Sequence, residues 1–332
     1  MKNTFFCIDA HTCGNPVRLV AGGAPMLPHL PIGERRALFM EQYDWIRRAL
    51  MFEPRGHDVM SGTILYPAWR EDCDVAVLFI EVSGCLPMCG AGTIGLVTTA
   101  LQEGLLTPRT PGLVSLETPA GRVDVRYTRE GDKVTSVQMI NVASYLHASD
   151  VVVEVPGVGE LVVDVAYGGN FYAVVEPQAN WSGLDGARAS TIIDLSQRLR
   201  AALAQAIDPV HPLDAGIRGV HHVLWCDGAD ASVADGRSAV FYGEQAIDRS
   251  PGGTGTSARL AQLHGKGRLA VGQDYRAQSL IGTVFTGRVE SETDIGDYKG
   301  IIPSVTGWAK VIGYNTLIVD DEDPLAHGFQ IS

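Results

Sequence analysis

Short apolar strands and two apolar helices alternate along the chain, in an order that occurs twice. Alternating or continuous apolar residues predict strands, most clearly at 74–82, 114–117, 122–127, 134–139 and 317–319. Two segments show helical spacing of apolar residues and end before Gly104 and Gly265, namely 91–103 and 254–264. Further helical segments, expected to pack outside the sheets, lie at 33–48 and 191–205. Because the strands are close together and separated by Gly and Pro turns, we expect largely antiparallel sheets.

The two halves of the chain carry matching motifs in the same order. Residues 7–20 align with 162–175, so that Asp9 meets Asp164 and Asn15 meets Asn170. Farther along, the Gly-rich turn at 89–93 aligns with the turn at 252–256, and a proline precedes each. Such a repeat predicts two similar units. The predicted class is α+β: two pseudo-symmetric domains whose mostly antiparallel sheets each surround a central helix.

The repeat also sets the expected domain boundaries. The first domain, 1–150, would carry the turn at Cys89, and the second, 151–332, the turn at Gly252. The C-terminal strands could alternatively pack back on the first half. If the equivalent turns face one cleft, a small ligand is expected there.

Charge and cysteine content exclude several classes of partner. The net charge is −12 and no run of Lys or Arg occurs, so neither nucleic acid nor an anionic membrane surface is an expected partner. No apolar run has the length of a membrane span. Six scattered cysteines in 332 residues do not resemble a disulfide framework and are typical of reduced thiols in the cytoplasm.

The two Gly-rich turns are the main candidates for chemistry. N–H groups at a helix start lack intrahelical acceptors and carry partial positive charge, so such a turn suits a small anion such as a carboxylate. A cysteine there is favoured as a thiolate, which would lower the pKa of Cys89 and make it a base or a nucleophile. The alternative, a small buried hydrophobic side chain, is the interpretation adopted for Cys7, Cys13, Cys73 and Cys226.

Residues 90–95 also match G-x-G-x-x-G, a dinucleotide-binding pattern. Pro87 would interrupt the central parallel strand that this pattern requires, so a Rossmann oxidoreductase is the less favoured hypothesis. Cys85 and Cys89 lack a second pair of ligands, so no zinc or other metal site is predicted.

Six motifs, taken together, identify a family resemblance that runs nearly end to end. They are D-A-H-T-x-G-x-P-x-R at 9–18, E-P-R-G-H at 53–57, M-C-G-x-G-T-I-G at 88–95, Y-G-G-N-F-Y at 167–172, D-R-S-P with G-T-G-T-S-A at 248–258, and D-E-D-P-L-A-H-G-F at 321–329. The chain resembles the proline racemase family, and within it the 4-hydroxyproline 2-epimerases.

The resemblance implies a cofactor-independent isomerase of the diaminopimelate-epimerase-like fold. In such enzymes two cysteines flank the α-carbon of a proline-type amino acid, one removing a proton and the other delivering one. The substrate carboxylate sits on two helix N-termini. The matching positions here comprise Cys89 as the catalytic base and, as substrate-binding residues, Gly90, Ala91, Ser61, His222, Tyr242, Asp248, Gly252, Gly253 and Thr254. Asp248 is expected near the ring nitrogen, and Ser61 and Tyr242 replace bulky Phe residues of proline racemases, which leaves room for a ring hydroxyl.

Two positions depart from the family pattern. Gly252 stands where the second cysteine is expected, and Ala91 where a histidine usually follows. Because Gly252 offers no proton donor, we predict no efficient two-base racemisation or epimerisation. The open alternatives are one-base elimination, as in trans-3-hydroxyproline dehydratases, and a divergent homologue with another substrate. The expected partner is a small amino acid, and a homodimer is an open alternative to a monomer.

Overall fold

A computed structural model describes residues 2–331. Its strands, in chain order, are β1 (Lys2–Thr12), β2 (Asn15–Gly22), β3 (Ser61–Tyr66), β4 (Val75–Glu81), β5 (Gly84–Leu86), β6 (Leu113–Thr118), β7 (Gly121–Glu130), β8 (Lys133–Ile140), β9 (Ser144–Val155), β10 (Gly159–Tyr167), β11 (Phe171–Val175), β12 (Val210–His211), β13 (Asp214–Arg218), β14 (His222–Asp227), β15 (Gly236–Tyr242), β16 (Ala246–Ile247), β17 (Asp274–Gln278), β18 (Val284–Ile295), β19 (Tyr298–Gly307) and β20 (Ala309–Asp320). Its helices are α1 (Ile32–Gln42), α2 (Asp44–Met51), α3 (Gly90–Gln102), α4 (Ala189–Ala206) and α5 (Gly253–Gly265).

The chain forms two compact units. The first comprises Met1–Met139 with Gly307–Ser332, and the second Ile140–Thr306. The sequence-based boundary near Asp150 therefore falls inside β9, and the C-terminal strand β20 belongs to the first unit.

The first unit is a sheet around one buried helix. Its strands pair in the order β20, β1, β2, β3, β4, β6, β7, and β5 extends from β4 as a hairpin. Helix α3 packs against β1, β20, β2 and β3, and its residues from Gly90 to Leu101 are all buried. A helix that is apolar on all sides needs such an enclosed position.

The second unit repeats this arrangement and closes it. Strands β9, β10, β11, β14, β15, β17 and β18 pair in that order, and β19 joins β18 to β9, so that eight strands form a closed sheet. Helix α5 packs against β9, β10, β18 and β11 and is buried from Gly253 to Leu263. The predicted repeat and the α+β class, with a central helix in each half, are confirmed.

The sheets are mostly antiparallel, with two parallel pairs in each unit at matching places. These pairs are β2–β3 and β4–β6 in the first unit, and β11–β14 and β15–β17 in the second. Parallel neighbours need a crossover connection, and a helix or helix pair lies within each of the four connections.

The outer helices differ from the prediction in one detail. The single segment expected at 33–48 is two helices, because Tyr43 leaves helical geometry with φ −131° and ψ 11°. Helix α4 places Ile192, Ser196, Leu199 and Leu203 on one buried stripe, as an outer helix should. No helix within residues 2–331 is long and apolar enough to cross a membrane.

Candidate functional site

In the first unit, Cys89 lies immediately before α3. The residue has φ −136° and ψ 114°, and its Sγ accepts the N–H of Gly92 at 3.3 Å, so the sulfur caps the helix. An N–H donated to sulfur stabilises a thiolate more than a thiol, because the acceptor carries the charge. Cys89 is half-buried, whereas the other five cysteines are buried.

The buried cysteines have environments that disfavour ionisation. Burial raises the pKa of Cys7 to about 12, and it also raises the pKa of Cys73 and Cys226. Among the six thiols, Cys89 is therefore distinguished by both its exposure and its place at a helix start.

The β1–β2 turn ties two further predicted residues of the first unit to this place. Thr12 Oγ1 donates to the carbonyl oxygen of Ala91 at 2.8 Å, in the first turn of α3. Asn15, the register partner of Thr12, donates from Nδ2 to Ser61 Oγ at 3.4 Å. Ser61, Ala91 and Cys89, with the helical residue Gly90, thus belong to one end of the first unit.

The corresponding turn of the second unit has a different backbone. Gly252 precedes α5 with φ 79° and ψ 110°, and α5 has no side-chain cap. A Cβ at this position would lie 2.7 Å from Val240 Cγ2, which is closer than real Cβ contacts come. In this conformation, glycine is the residue that position 252 can hold without strain.

A short loop fixes Asp248 beside Gly252. Asp248 Oδ1 accepts the N–H and the Oγ–H of Ser250 at 2.7 and 2.8 Å, and Ser250 Oγ in turn accepts the N–H of Gly252 at 3.2 Å. Burial raises the pKa of Asp248 to about 6, although the Ser250 hydrogen bonds and the charge of Arg249 oppose the shift. The carboxyl group can therefore be protonated or ionised near neutral pH.

Thr254 and His222 are joined through Tyr172, which was not among the site residues predicted from the sequence. Tyr172 Oη lies 2.6 Å from Thr254 Oγ1, and its ring centroid lies 4.9 Å from that of His222. Burial lowers the pKa of His222 to about 3, so this imidazole is neutral. Its Nδ1 has no hydrogen-bond partner among the described residues.

Tyr242 ends β15 on the face that carries Val240, because alternate residues of a strand share a face. Val240 meets the start of α5, so Tyr242 is on the face of the sheet that adjoins the helix start. Arg200 of α4 holds the adjoining turn: it donates to Gly243 O at 2.6 Å and to both Glu244 carboxylate oxygens at 2.9 Å. The structure therefore brings His222, Tyr242, Asp248, Gly252, Gly253 and Thr254 to one end of the second unit.

Three residues that make these contacts were not predicted from the sequence. Ser250 had a readable signal, since Asp-x-Ser favours a local turn in which the carboxylate accepts the downstream N–H. Tyr172 lies inside a recognised motif but gave no separate sign of contact with Thr254. Arg200 gave no signal, because its partners lie more than 40 residues away.

The dinucleotide alternative does not fit the observed topology. The strand before the turn, β5, has three residues and pairs antiparallel with β4. A Rossmann fingerprint requires a parallel central strand leading into the helix.

Known proteins match this chain over nearly its whole length. The proline racemase family model matches residues 7–330. The chain is 67% identical over 331 residues to "4-hydroxyproline 2-epimerase 2" of Rhizobium rhizogenes, covering 100% of both chains.

Two crystal structures share the fold over nearly their full lengths. A probable proline racemase from Agrobacterium radiobacter with bound carbonate has 31% identity and a TM-score of 0.91, covering 98% of this chain and 96% of the other. A hydroxyproline epimerase from Agrobacterium vitis with bound trans-4-hydroxy-L-proline has 30% identity and a TM-score of 0.90, covering 99% and 96%. The chain belongs to the proline racemase family of isomerases.

Proposed function

We propose that this protein is a 4-hydroxyproline 2-epimerase-like enzyme that removes the α-proton of a proline-type amino acid with Cys89 as its only thiol base. The observation that carries the proposal is the half-buried residue Cys89 at the N-terminus of α3, whose sulfur accepts a hydrogen bond from the Gly92 N–H. A thiolate in that position is favoured by the helix dipole as well as by the N–H group.

The remaining roles follow the family pattern and fit the local chemistry of each residue. The N–H groups at Gly90, Ala91, Gly253 and Thr254 are proposed to bind the substrate carboxylate, since both helix starts offer N–H donors. Ser61 and Tyr242 are proposed to accept or donate a hydrogen bond to a ring hydroxyl, and Asp248 to lie near the ring nitrogen. His222 is proposed to line the pocket as a neutral imidazole.

Deuterium exchange tests the base directly. Proline and the hydroxyproline isomers are incubated with the enzyme in heavy water, and loss of the α-proton signal is followed by NMR. We expect exchange with a 4-hydroxyproline and a loss of at least about 100-fold in Cys89→Ser, because removing a positioned base costs about 10²–10⁴-fold. The matched control is Cys73→Ser, a buried thiol of the same unit, which should leave the exchange rate unchanged.

A wild-type protein that binds none of these isomers and exchanges none of their α-protons would contradict the proposed function. Exchange that is equal in wild type and Cys89→Ser would contradict the role of the thiol while leaving the substrate class intact.

One observation favours a second candidate reaction. Gly252 brings no side chain to the second turn, and elimination of a 3-hydroxyl group needs only one base at the α-carbon. Including trans-3-hydroxy-L-proline in the panel separates the two reactions, because elimination consumes the substrate with loss of water, whereas epimerisation yields an isomer.

A further inference from the structure

The first turn of α5 is tied to the sheet of the second unit by a pair of hydroxyl groups. Tyr172 Oη on β11 lies 2.6 Å from Oγ1 of Thr254, the second residue of α5. This distance is typical of a well-formed hydrogen bond between two hydroxyl groups. Asn170 Nδ2 lies 3.5 Å from the same threonine oxygen. The Thr254 side chain is therefore held from the strand side of the helix start.

The contact is buried and includes the tyrosine ring. Tyr172 is 2% exposed and Thr254 5% exposed, so bulk water does not replace a bond that is lost between them. A Cβ at Gly255, the next residue of α5, would lie 3.4 Å from Tyr172 Cε1. The ring thus lies against the first turn of the helix, and the hydroxyl group at its end reaches Thr254.

The same ring packs against His222. Tyr172 and His222 are partners in the parallel pair β11–β14, and their ring centroids are 4.9 Å apart with an interplanar angle of 32°. His222 is buried, and its Nδ1 has no hydrogen-bond partner among the described residues. Because no hydrogen bond at Nδ1 fixes the imidazole, its orientation depends more on packing, to which Tyr172 contributes.

The internal repeat shows that this hydroxyl pair belongs to the second unit. In the first unit, Val17 stands at the position of Tyr172 and Ala91 at the position of Thr254, and neither has a hydroxyl group. The start of α3 has instead the Cys89 sulfur as its cap, whereas no side chain of the described residues caps α5. The hydroxyl pair is thus found at the helix start that lacks a side-chain cap.

We propose that Tyr172 is a positioning residue of the enzyme, which holds the first turn of α5 so that the N–H groups of Gly253 and Thr254 are correctly placed for the substrate carboxylate. The proposal rests on the proposed function, in which these two N–H groups bind the carboxylate. Tyr172 acts through Thr254 and needs no contact with the substrate.

The expected consequence concerns binding more than proton transfer. Donors that are held in place before the substrate arrives lose less conformational freedom on binding, so affinity is higher. If the tyrosine hydroxyl is removed, the helix start gains freedom and the carboxylate binds less tightly. A change that weakens binding of substrate and transition state alike raises KM and leaves kcat unchanged.

The test uses Tyr172→Phe, which removes the hydroxyl group and keeps the ring against α5 and His222. Loss of the α-proton of 4-hydroxyproline in heavy water is followed by NMR at several substrate concentrations. We expect KM to rise about 3- to 10-fold, as for the loss of one buried hydrogen bond, and kcat to stay within about twofold. The matched control is Tyr145→Phe, which should change neither constant. Tyr145 is buried in the same unit, and its Oη has no hydrogen-bond partner among the described residues.

Thr254→Val tests the same bond from the other side and also serves if Tyr172→Phe does not fold. Valine keeps the branched shape and the backbone N–H but has no hydroxyl group. We expect KM to rise in Thr254→Val, and to rise no further when Tyr172→Phe is added, because both changes break one bond.

Four results would overturn the role of Tyr172 and leave the proposed function standing. They are an unchanged KM in Tyr172→Phe, a lower kcat at an unchanged KM, a KM in the double variant that is the product of the two separate increases, and an equal increase in Tyr145→Phe. A wild-type protein that neither binds a 4-hydroxyproline nor exchanges its α-proton would overturn both proposals.

Discussion

Replacing Gly252 by alanine measures how firmly the second turn is held in a conformation that excludes side chains. Gly252 has φ 79°, and a left-handed backbone costs a residue other than glycine about 1–3 kcal/mol. The added Cβ would also lie 2.7 Å from Cγ2 of Val240, which is 3% exposed. Overpacking a filled site costs about 1–3 kcal/mol. We therefore expect Gly252→Ala to lower the free energy of unfolding by about 2–6 kcal/mol.

Two control variants separate these contributions. Gly282 has a similar φ of 86°, is exposed, and has no atom within 4 Å of its ideal Cβ, so Gly282→Ala should show the backbone cost alone. Combining Gly252→Ala with Val240→Ala should recover about 1–3 kcal/mol of coupling relative to the sum of the single variants. Unfolding in urea, monitored by circular dichroism, gives the five free energies needed, those of wild type, Gly252→Ala, Val240→Ala, the double variant and Gly282→Ala.

If Gly252→Ala and Gly282→Ala lower the free energy of unfolding equally, and Gly252→Ala shows no coupling to Val240→Ala, the steric reasoning is refuted. If Gly252→Ala leaves the free energy of unfolding nearly unchanged, the turn changes to the extended conformation seen at Cys89. The outcome also bears on Gly252→Cys with Ala91→His, which restores the two residues expected from the family pattern and should therefore create or raise epimerase activity. If the contact with Val240 is rigid, that gain will require Val240→Ala in the same protein.

Further predictions concern the pH dependence of stability and one positioning contact. The pKa of Asp248 is raised from 3.8 to about 6, so the folded state keeps a proton that the unfolded chain has released. The contribution of Asp248 to the free energy of unfolding is therefore greatest below about pH 4 and is lost as the pH rises to about 6, a change of about 3 kcal/mol. Urea unfolding of Asp248→Asn should not show this change. The pKa of His222 is lowered from 6.5 to about 3, so its contribution is full above pH 6.5 and is lost as the pH falls toward 3; His222→Asn should flatten the unfolding free energy over that range. Arg200→Met should raise KM for 4-hydroxyproline by several-fold with little change in kcat, because it frees the turn after Tyr242. Arg198→Met, which breaks an exposed pair with Asp194 on the same helix, should change neither constant.

The features that the sequence predicted are those encoded locally. Helices α3 and α5 follow from apolar residues between glycines, and the repeat follows from matching motifs such as Asn15 and Asn170. The parallel pairs β2–β3 and β11–β14 were missed, because strand direction depends on how the intervening helices cross the sheet. The break at Tyr43 was missed for a related reason, since tertiary packing overrides helical periodicity.

In the candidate site, too, some features could be predicted from the sequence and others could not. Cys89 could be selected from its residue type at a Gly-rich turn, whereas Asp248 was selected through the family motif that it matches. The positive φ of Gly252 could not be predicted, since glycine tolerates both signs of φ. The short distances from residue 252 to Val240 and Asp248 follow from that backbone angle, so they could not be predicted from the sequence either.

The internal repeat shows what distinguishes the second turn from the first. Gly92 and Gly255 occupy the same position in α3 and α5, and their ideal Cβ atoms meet Phe79 at 3.2 Å and Val240 at 3.3 Å. The strand residue beside the first turn is thus the larger one, yet Cys89 still carries a side chain there. Crowding at 252 therefore arises from the backbone conformation of Gly252 and not from a bulkier neighbour. The two helix starts therefore differ in the backbone, which has φ −136° at Cys89 and φ 79° at Gly252, and this angle limits the side chains that the second turn can hold.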